Sequence, residues 1–81
     1  MGELDLIVQD GSELVFVEVR ARSGIAFGGA AASVGPSKQA RLRRAAQLFL
    51  LKRFGQGRWP ACRFDVIALE SDELNWIKNA F

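Results

Sequence analysis

Two short stretches near the start of the chain alternate polar and apolar residues with the two-residue period of a β-strand. The first stretch covers residues 3–9, and the second covers residues 13–20, which include a valine at every second position. The Asp-Gly-Ser sequence at residues 10–12 separates the two stretches and has the composition of a tight turn. The pattern therefore predicts a β-hairpin.

Downstream of the hairpin, the pattern predicts one helix and two further strands. The helix should run over residues 36–54, with a proline at its first position and glycines just beyond its end. Residues 61–70 and 74–81 are the two strand candidates. Because a helix joins the second and third strands, we expect those two strands to pair in parallel. The predicted fold is α/β, a mixed β-sheet of about four strands with one packed helix, in a single domain over residues 1–81.

Carboxylates interrupt both strands of the predicted hairpin. Glu3 and Asp5 share one side of the first strand, while Glu18 and Arg20 share one side of the second. Directly opposed residues of an antiparallel pair lie on the same face of the sheet. Pairing of residue 18 with either residue 3 or residue 5 therefore brings the four side chains together, whereas a shift by one residue separates them. Both pairings remain open, and in either one Asp5 and Glu18 are close enough to share a cation.

The predicted helix carries a lysine on its inner face. Helical spacing places Lys38 at one end of an otherwise apolar stripe that continues with Leu42, Ala45, Ala46 and Phe49. We therefore expect Lys38 to point toward the sheet at the amino end of the helix, near the two carboxylates. Gln39 should lie beside it, near the edge of the same face.

The composition excludes several kinds of chemistry within this chain. Its 81 residues include no histidine and a single cysteine, so they provide no Ser–His or Cys–His pair, no histidine metal ligand and no internal disulfide. No apolar run approaches the roughly 20 residues that span a bilayer, and nothing at the amino end resembles a signal peptide. We therefore expect a soluble, cytoplasmic protein without a membrane partner.

Basic residues are concentrated around the predicted helix, although the net charge is only +2. Such a local field favours a polyanionic partner, while a solvated helix face gives the same pattern. The basic residues of this region are Arg20, Arg22, Lys38, Arg41, Arg43, Arg44, Lys52 and Arg53.

Two carboxylates beside a cation are compatible with metal-dependent chemistry on phosphate. Asp5 and Glu18 would hold Mg²⁺, which prefers oxygen ligands and keeps several waters. The ion would polarise a phosphate and generate hydroxide, and a nearby cation would stabilise the developing charge. The pattern alone favours a plainer interpretation, a solvated strand face on which Glu18 pairs with Arg20.

Six segments of the sequence, in order and over nearly the whole chain, resemble the YraN-like family of uncharacterised bacterial proteins. They are GELDLI, FVEVRARS, FGGAAASV, PSKQARLRRAA, RFDVIAL and NAF. That family is grouped with the restriction-endonuclease-like nucleases of the PD-(D/E)xK motif and is similar to archaeal Holliday-junction resolvases. The resemblance implies a metal-dependent endonuclease-like domain that acts on DNA, with branched and single-stranded DNA among its candidate substrates.

The resemblance also implies roles for individual strand residues. Asp5 matches the first metal-binding acid of the motif and Glu18 matches the acid of its second half, so that these two residues, with the carbonyl of Val19, would bind Mg²⁺ or Mn²⁺. Glu3 belongs to the same stretch and is a further candidate ligand. Arg20 stands where the motif has lysine; arginine stays protonated and cannot readily act as a base, but it still binds phosphate.

The helix and its surroundings complete the implied site. Lys38 or Arg20 would position the attacking water or the scissile phosphate, and Gln39 would orient it. The glycine-rich residues 23–35 form a loop that either clamps substrate or is simply flexible. The DNA backbone would meet Arg22, Arg41 and Arg44, in addition to Arg20 and Lys38.

Two departures from the family pattern leave alternatives open. Members of the family have a helix before the first motif strand, so we expect a restriction-endonuclease-like core that lacks its amino-terminal helix and is shortened at that end. A bare sheet face would favour a homodimer. The same fold could also serve as a non-catalytic nucleic-acid-binding module or a dimeric scaffold, and the arginine at position 20 favours loss of catalysis.

Trp59 and Trp76 either stack on bases or, as is more usual, pack within the fold.

Overall fold

The fold consists of one sheet and one helix within the described part of the chain. The structure is a computed structural model, and it describes residues 4–21, 34–70 and 72–81. The elements in chain order are β1 (Leu6–Asp10), β2 (Glu13–Ala21), α1 (Pro36–Phe54), β3 (Cys62–Glu70) and β4 (Glu73–Ile77). No helix among the described residues is long and apolar enough to cross a membrane.

The four strands form one mixed sheet in the order β1-β2-β3-β4. The β1–β2 and β3–β4 pairs are antiparallel, and β2 and β3 are parallel. The helix α1 lies in the connection between the two parallel strands, as that connection requires. The predicted α/β fold, with a mixed sheet and one helix, is confirmed.

The helix has the predicted bounds because its ends are marked by the backbone. Pro36 occupies the first turn, where its missing N–H costs nothing. Gly55 has φ 71°, a left-handed conformation that glycine adopts readily, and its N–H donates to the carbonyl of Leu51 at 2.9 Å. Lys52 and Arg53 lie in the last turn, where positive charge interacts favourably with the helix dipole.

The strand ends differ from the prediction at both ends of the sheet. β1 begins at Leu6 rather than at residue 3, and Asp5 lies in a bend just before it. β4 ends at Ile77, so the strand predicted over residues 74–81 is wrong beyond that point. A turn follows β4, in which Asn79 has φ 52°, and asparagine is one of the few residues that tolerate this conformation.

The helix packs on one face of the sheet and forms two apolar clusters there. Leu42 packs with Val34, Val66 and Ala68, and Phe16 packs with Ala46 and Leu50. Leu42, Ala45 and Ala46 of the predicted stripe are buried, and Phe49 is half-buried with its ring edge-on to Phe16 at 6.0 Å. Leu42 packs on Val66, which pairs with Glu18, so the helix residues that precede Leu42 lie near Glu18 of β2.

The opposite face of the sheet is partly apolar and partly exposed. Val15, Val17 and Ile67 form a buried cluster there. Several large apolar side chains with the same strand parity are exposed, namely Leu6, Leu69, Leu74 and Trp76. This face contrasts with the helix side, where the central apolar side chains are covered by α1.

Candidate active site

The hairpin register places Asp5 and Glu18 on the same side of the sheet. Leu6 pairs with Val17 and Ile7 with Phe16, so the same register puts residue 5 opposite residue 18. Of the two predicted pairings, the structure has 5 with 18. The carboxylates therefore meet on the helix face.

A backbone hydrogen bond fixes the orientation of Asp5. Its Oδ2 accepts from the N–H of Val19 at 2.9 Å, beyond the last ladder pair of the hairpin. The side chain thus continues the pairing of the two strands just before β1 begins. Asp5 is itself exposed, in contrast to the carboxylate opposite it.

Glu18 is buried, with only 4% of its surface exposed, although it is ionisable. Its Oε2 lies 3.4 Å from the ammonium of Lys38 and 3.8 Å from Nε of Arg20. Its Oε1 is also buried and accepts no hydrogen bond from any residue that the structure describes. The predicted approach of Lys38 to the strand carboxylates is therefore present, and one buried carboxylate oxygen has no donor within the described ranges.

The surroundings of Glu18 shift the pKa of its carboxyl upward from its ordinary value. Burial raises the pKa of the Glu18 carboxyl, and the neighbouring Asp5 raises it further, because two adjacent carboxyls favour a shared proton over two negative charges. Lys38 acts in the opposite direction and lowers that pKa, but the net shift is upward. Additional positive charge beside the two carboxyls would favour the ionised form.

The paired carboxylates fit a hard divalent cation. Glu18 Oε1, without a donor among the described residues, and the carboxylate of Asp5 are the kind of ligand that Mg²⁺ and Mn²⁺ prefer. No group of three or more acidic, histidine or cysteine residues that could hold a metal is found in the described ranges. Water and substrate oxygens would have to complete the coordination, which is usual for Mg²⁺.

The other predicted site residues have different surroundings. Gln39 donates from its side-chain amide to the carbonyl of Val34 at 2.9 Å, so it secures the chain two residues before the helix. Glu3 and Arg22 lie outside the described residues, as do positions 23–33 of the glycine-rich segment. The roles predicted for Gln39, for the Val19 carbonyl and for these residues stay predictions.

The helix presents only positive charge beside this site. α1 contains six basic residues and no acidic one. Arg41 is three residues from Lys38 and therefore lies on the same flank of the helix. Arg44 lies three residues beyond Arg41, and both arginines are exposed. Arg43 lies on the other flank, with its guanidinium over the rings of Phe64 and Phe81.

The opposite face of the sheet holds a buried acid that the sequence pattern did not reveal. Asp65 is completely buried and accepts hydrogen bonds from Nε of Arg63 at 3.0 Å, from Nε1 of Trp76 at 2.7 Å and from the N–H of Asn79 at 2.9 Å. The guanidinium of Arg63 also reaches carboxylates of the β1–β2 hairpin, with Asp10 at 3.0 Å and Glu13 at 2.8 Å. In the sequence, the alternation of Arg63 and Asp65 along β3 was the signal that could have revealed this buried acid.

The two tryptophans both donate hydrogen bonds within the fold. Trp59 donates to the carbonyl of Gly55 at 2.7 Å, and Trp76 donates to Asp65 as described above. Both indoles are nevertheless about half exposed, at 40% and 47%. Stacking of either ring on a nucleobase stays a prediction.

The described residues thus define an α/β domain with a pair of carboxylates and a lysine at the start of its helix. Residues 1–69 match the family described as "Uncharacterised protein family UPF0102", and the chain belongs to that family. This membership agrees with the YraN-like resemblance of its sequence segments.

Individual relatives are similar over nearly the whole chain. A UPF0102 protein of Herminiimonas arsenicoxydans is 60% identical over 79 residues, which cover 98% of this chain and 61% of that protein. A UPF0102 protein of Bordetella avium is 59% identical, covering 99% of this chain and 54% of the relative, and one of Klebsiella pneumoniae is 50% identical, covering 99% and 62%. The chain spans about three-fifths of the length of the curated relatives that it matches.

Proposed function

We propose that this chain is the core of a metal-dependent DNA endonuclease in which Asp5 and Glu18 hold Mg²⁺ or Mn²⁺. The observation that supports it most is the buried Glu18 carboxylate, which has Asp5 beside it, Lys38 at 3.4 Å and one oxygen without a donor among the described residues. Burying an acid in this way is costly unless charge or hydrogen bonds compensate it. A functional site is where such a cost is retained.

The two carboxylates have distinct tasks in this proposal. A divalent ion bound there supplies Lewis acidity toward a phosphate and lowers the pKa of a water. Asp5 is oriented by the Val19 N–H, so its carboxylate is held in one orientation. Glu18 provides an oxygen from a dry environment, where its attraction for a cation is weakened little by solvent.

In this proposal Lys38 serves the role of the motif's lysine, for which Arg20 is unsuited. Its ammonium lies 3.4 Å from Glu18, so a phosphate oxygen or an attacking water at the two carboxylates would be close to this positive charge. Arg20 lies beside the same carboxylate, and an arginine side chain is suited to binding phosphate rather than to acting as a base. Both cations would stabilise negative charge that develops on the phosphate.

DNA is the substrate that the charge of the helix supports. Lys38 and Arg41 lie on the flank nearest the carboxylates, and Arg44 is exposed beside them. Phosphate contacts of this kind release counterions, so binding should weaken as salt is raised. No acidic residue of α1 opposes the approach of a polyanion.

Cleavage by acid variants tests the proposal. The purified chain and the full-length relative of Herminiimonas arsenicoxydans are incubated with linear, flap and four-way DNA in Mg²⁺ or Mn²⁺. We expect Asp5→Asn and Glu18→Gln to reduce cleavage to background while folding and most DNA binding persist, since Asn keeps an oxygen for the Val19 N–H. Glu73→Gln, an exposed acid of β4, is the matched control and should cut normally. Cleavage by both site variants at the wild-type rate would contradict the assignment.

The arginine at position 20 supports a second candidate, a nucleic-acid-binding module without catalysis. In that case DNA binding is salt-sensitive, does not depend on metal and is not followed by cleavage. The exposed apolar side chains of the face opposite the helix support a third candidate, a dimeric scaffold. That candidate predicts a homodimer in sedimentation and no DNA affinity at low salt.

A further inference from the structure

A cavity of about 200 Å³ opens between α1 and the sheet, on the helix flank away from Lys38. Its walls are mainly apolar and include Phe16, Ala46, Leu50 and Phe64. Two polar side chains, Arg43 and Gln47, lie at the cavity and are four residues apart on the helix, so they occupy the same flank. An apolar recess with a few convergent polar groups is the usual form of a small-ligand site.

Arg43 is oriented by aromatic rings. Its guanidinium lies 5.3 Å from the ring centroid of Phe64 and 5.5 Å from that of Phe81, and these two rings stack on each other at 5.0 Å. Among the described residues, no carboxylate forms an ion pair with Arg43. A guanidinium held by its face retains its planar fork of N–H donors for an anion, and phosphate fits that fork.

The cavity and the carboxylate pair lie at different positions along β2 and β3. Cys62, which lines it, pairs with Leu14, and Val66 of the same strand pairs with Glu18. Four strand residues separate these positions, a distance of about 13 Å. The cavity is therefore a separate place from the carboxylate pair on the same face of the sheet.

We propose that the cavity receives the base of one unpaired nucleotide while a phosphate of that nucleotide binds Arg43. The inference rests on the proposed function and specifies its substrate class. A base within a duplex is held in the stack by pairing, so a base can enter this recess cheaply only from single-stranded or branched DNA. The apolar walls receive the base, and Gln47 offers both a donor and an acceptor to its edge.

Cys62 provides the test, because it is the only cysteine of the chain and lines the cavity. Its alkylation by N-ethylmaleimide is followed by mass spectrometry at mildly alkaline pH, since burial raises the pKa of this thiol, with a smaller contribution from Glu13. The reaction is measured with a dT oligonucleotide, with an abasic strand of equal length and with a duplex, each at equal occupancy. We expect the dT strand to slow alkylation several-fold, and the abasic strand and the duplex to leave its rate nearly unchanged.

Arginine variants test the phosphate contact. We expect Arg43→Gln to lose protection of Cys62 by the dT strand and Arg43→Lys to lose most of it, because lysine keeps the charge without the planar fork. Arg53→Gln is the matched control, since Arg53 also lies over a ring, Phe54 at 5.0 Å, but does not line the cavity. Protection should survive that change.

The outcomes separate this inference from the proposed function. Equal protection by the dT and abasic strands, or full protection in Arg43→Gln, would overturn the inference while DNA binding stands. Absence of binding to every DNA tested would instead overturn the proposed function.

Discussion

Glu18 in β2 and Asp65 in β3 are both buried acids of adjacent strands, but they face opposite sides of the sheet. Asp65 accepts hydrogen bonds from Arg63, Trp76 and the backbone of Asn79. Glu18 has Lys38 at 3.4 Å on one oxygen and no donor from the described residues on the other. The pKa shifts have opposite signs. Burial raises that of Glu18, whereas at Asp65 the effect of burial is outweighed by its hydrogen bonds, which lower the pKa.

This difference separates structural acids from candidate functional acids. A buried polar group with all its partners stabilises one conformation, and the Arg63–Asp65 network joins β1, β2, β3 and the end of β4. A buried acid with missing partners costs stability and is found mainly where chemistry or ligand binding requires it. By this criterion Asp65 belongs to the framework, and Glu18 is a candidate for a functional site.

The largest effect is expected from Asp65→Asn. The substitution removes the charge that balances Arg63 in a fully buried position. We expect the free energy of unfolding to fall by about 3 kcal/mol, as for other buried pairs that lose one partner. Urea denaturation followed by circular dichroism measures this change, with Asp72→Asn at an exposed position as control. Equal midpoints for wild type and Asp65→Asn would show that the network does not stabilise the fold.

Glu18→Gln should behave differently in the same denaturation experiment. Glutamine has nearly the same shape and removes the cost of a buried charge, although Lys38 loses its ionic partner. We expect the free energy of unfolding to stay within about 1 kcal/mol of wild type. Mn²⁺ binding, measured by isothermal titration calorimetry, should be lost in this variant and retained in Glu73→Gln. A destabilisation as large as that of Asp65→Asn would place Glu18 in the framework as well.

The sequence predicted the Glu18 region far better than the Asp65 region, for a physical reason. Alternation in two strands joined by a short turn allows only two faces, so the meeting of Asp5 with Glu18 followed from parity, and helical spacing added Lys38. Asp65 has partners in β3, in β4 and in the turn after β4, and Arg63 links it to β1 and β2. The meeting of these residues depends on a sheet order that no local pattern specifies. The end of β4 was missed because the turn at Asn79 depends on a single left-handed residue.

The smallest expected effect concerns the pH dependence of stability. The two acids should differ in how the free energy of unfolding changes with pH. Since the pKa of Glu18 is raised in the folded protein, its contribution to stability is present below its ordinary value of 4.5 and is lost as pH rises through the folded value. Since the pKa of Asp65 is lowered, its contribution is present above its ordinary value of 3.8 and is lost as pH falls through the folded value.

Denaturation in EDTA across this pH range therefore separates the two acids. In Glu18→Gln, the free energy of unfolding should decrease less than in wild type as pH rises above 4.5. In Asp65→Asn, it should decrease less than in wild type as pH falls below 3.8. Because the two carboxyls lie on opposite faces of the sheet, each substitution should leave the pH dependence in the other acid's range unchanged. If Glu18→Gln altered only the acid limb, the Glu18 carboxyl would be ionised and well compensated in the folded protein, and the distinction between the two acids would be lost.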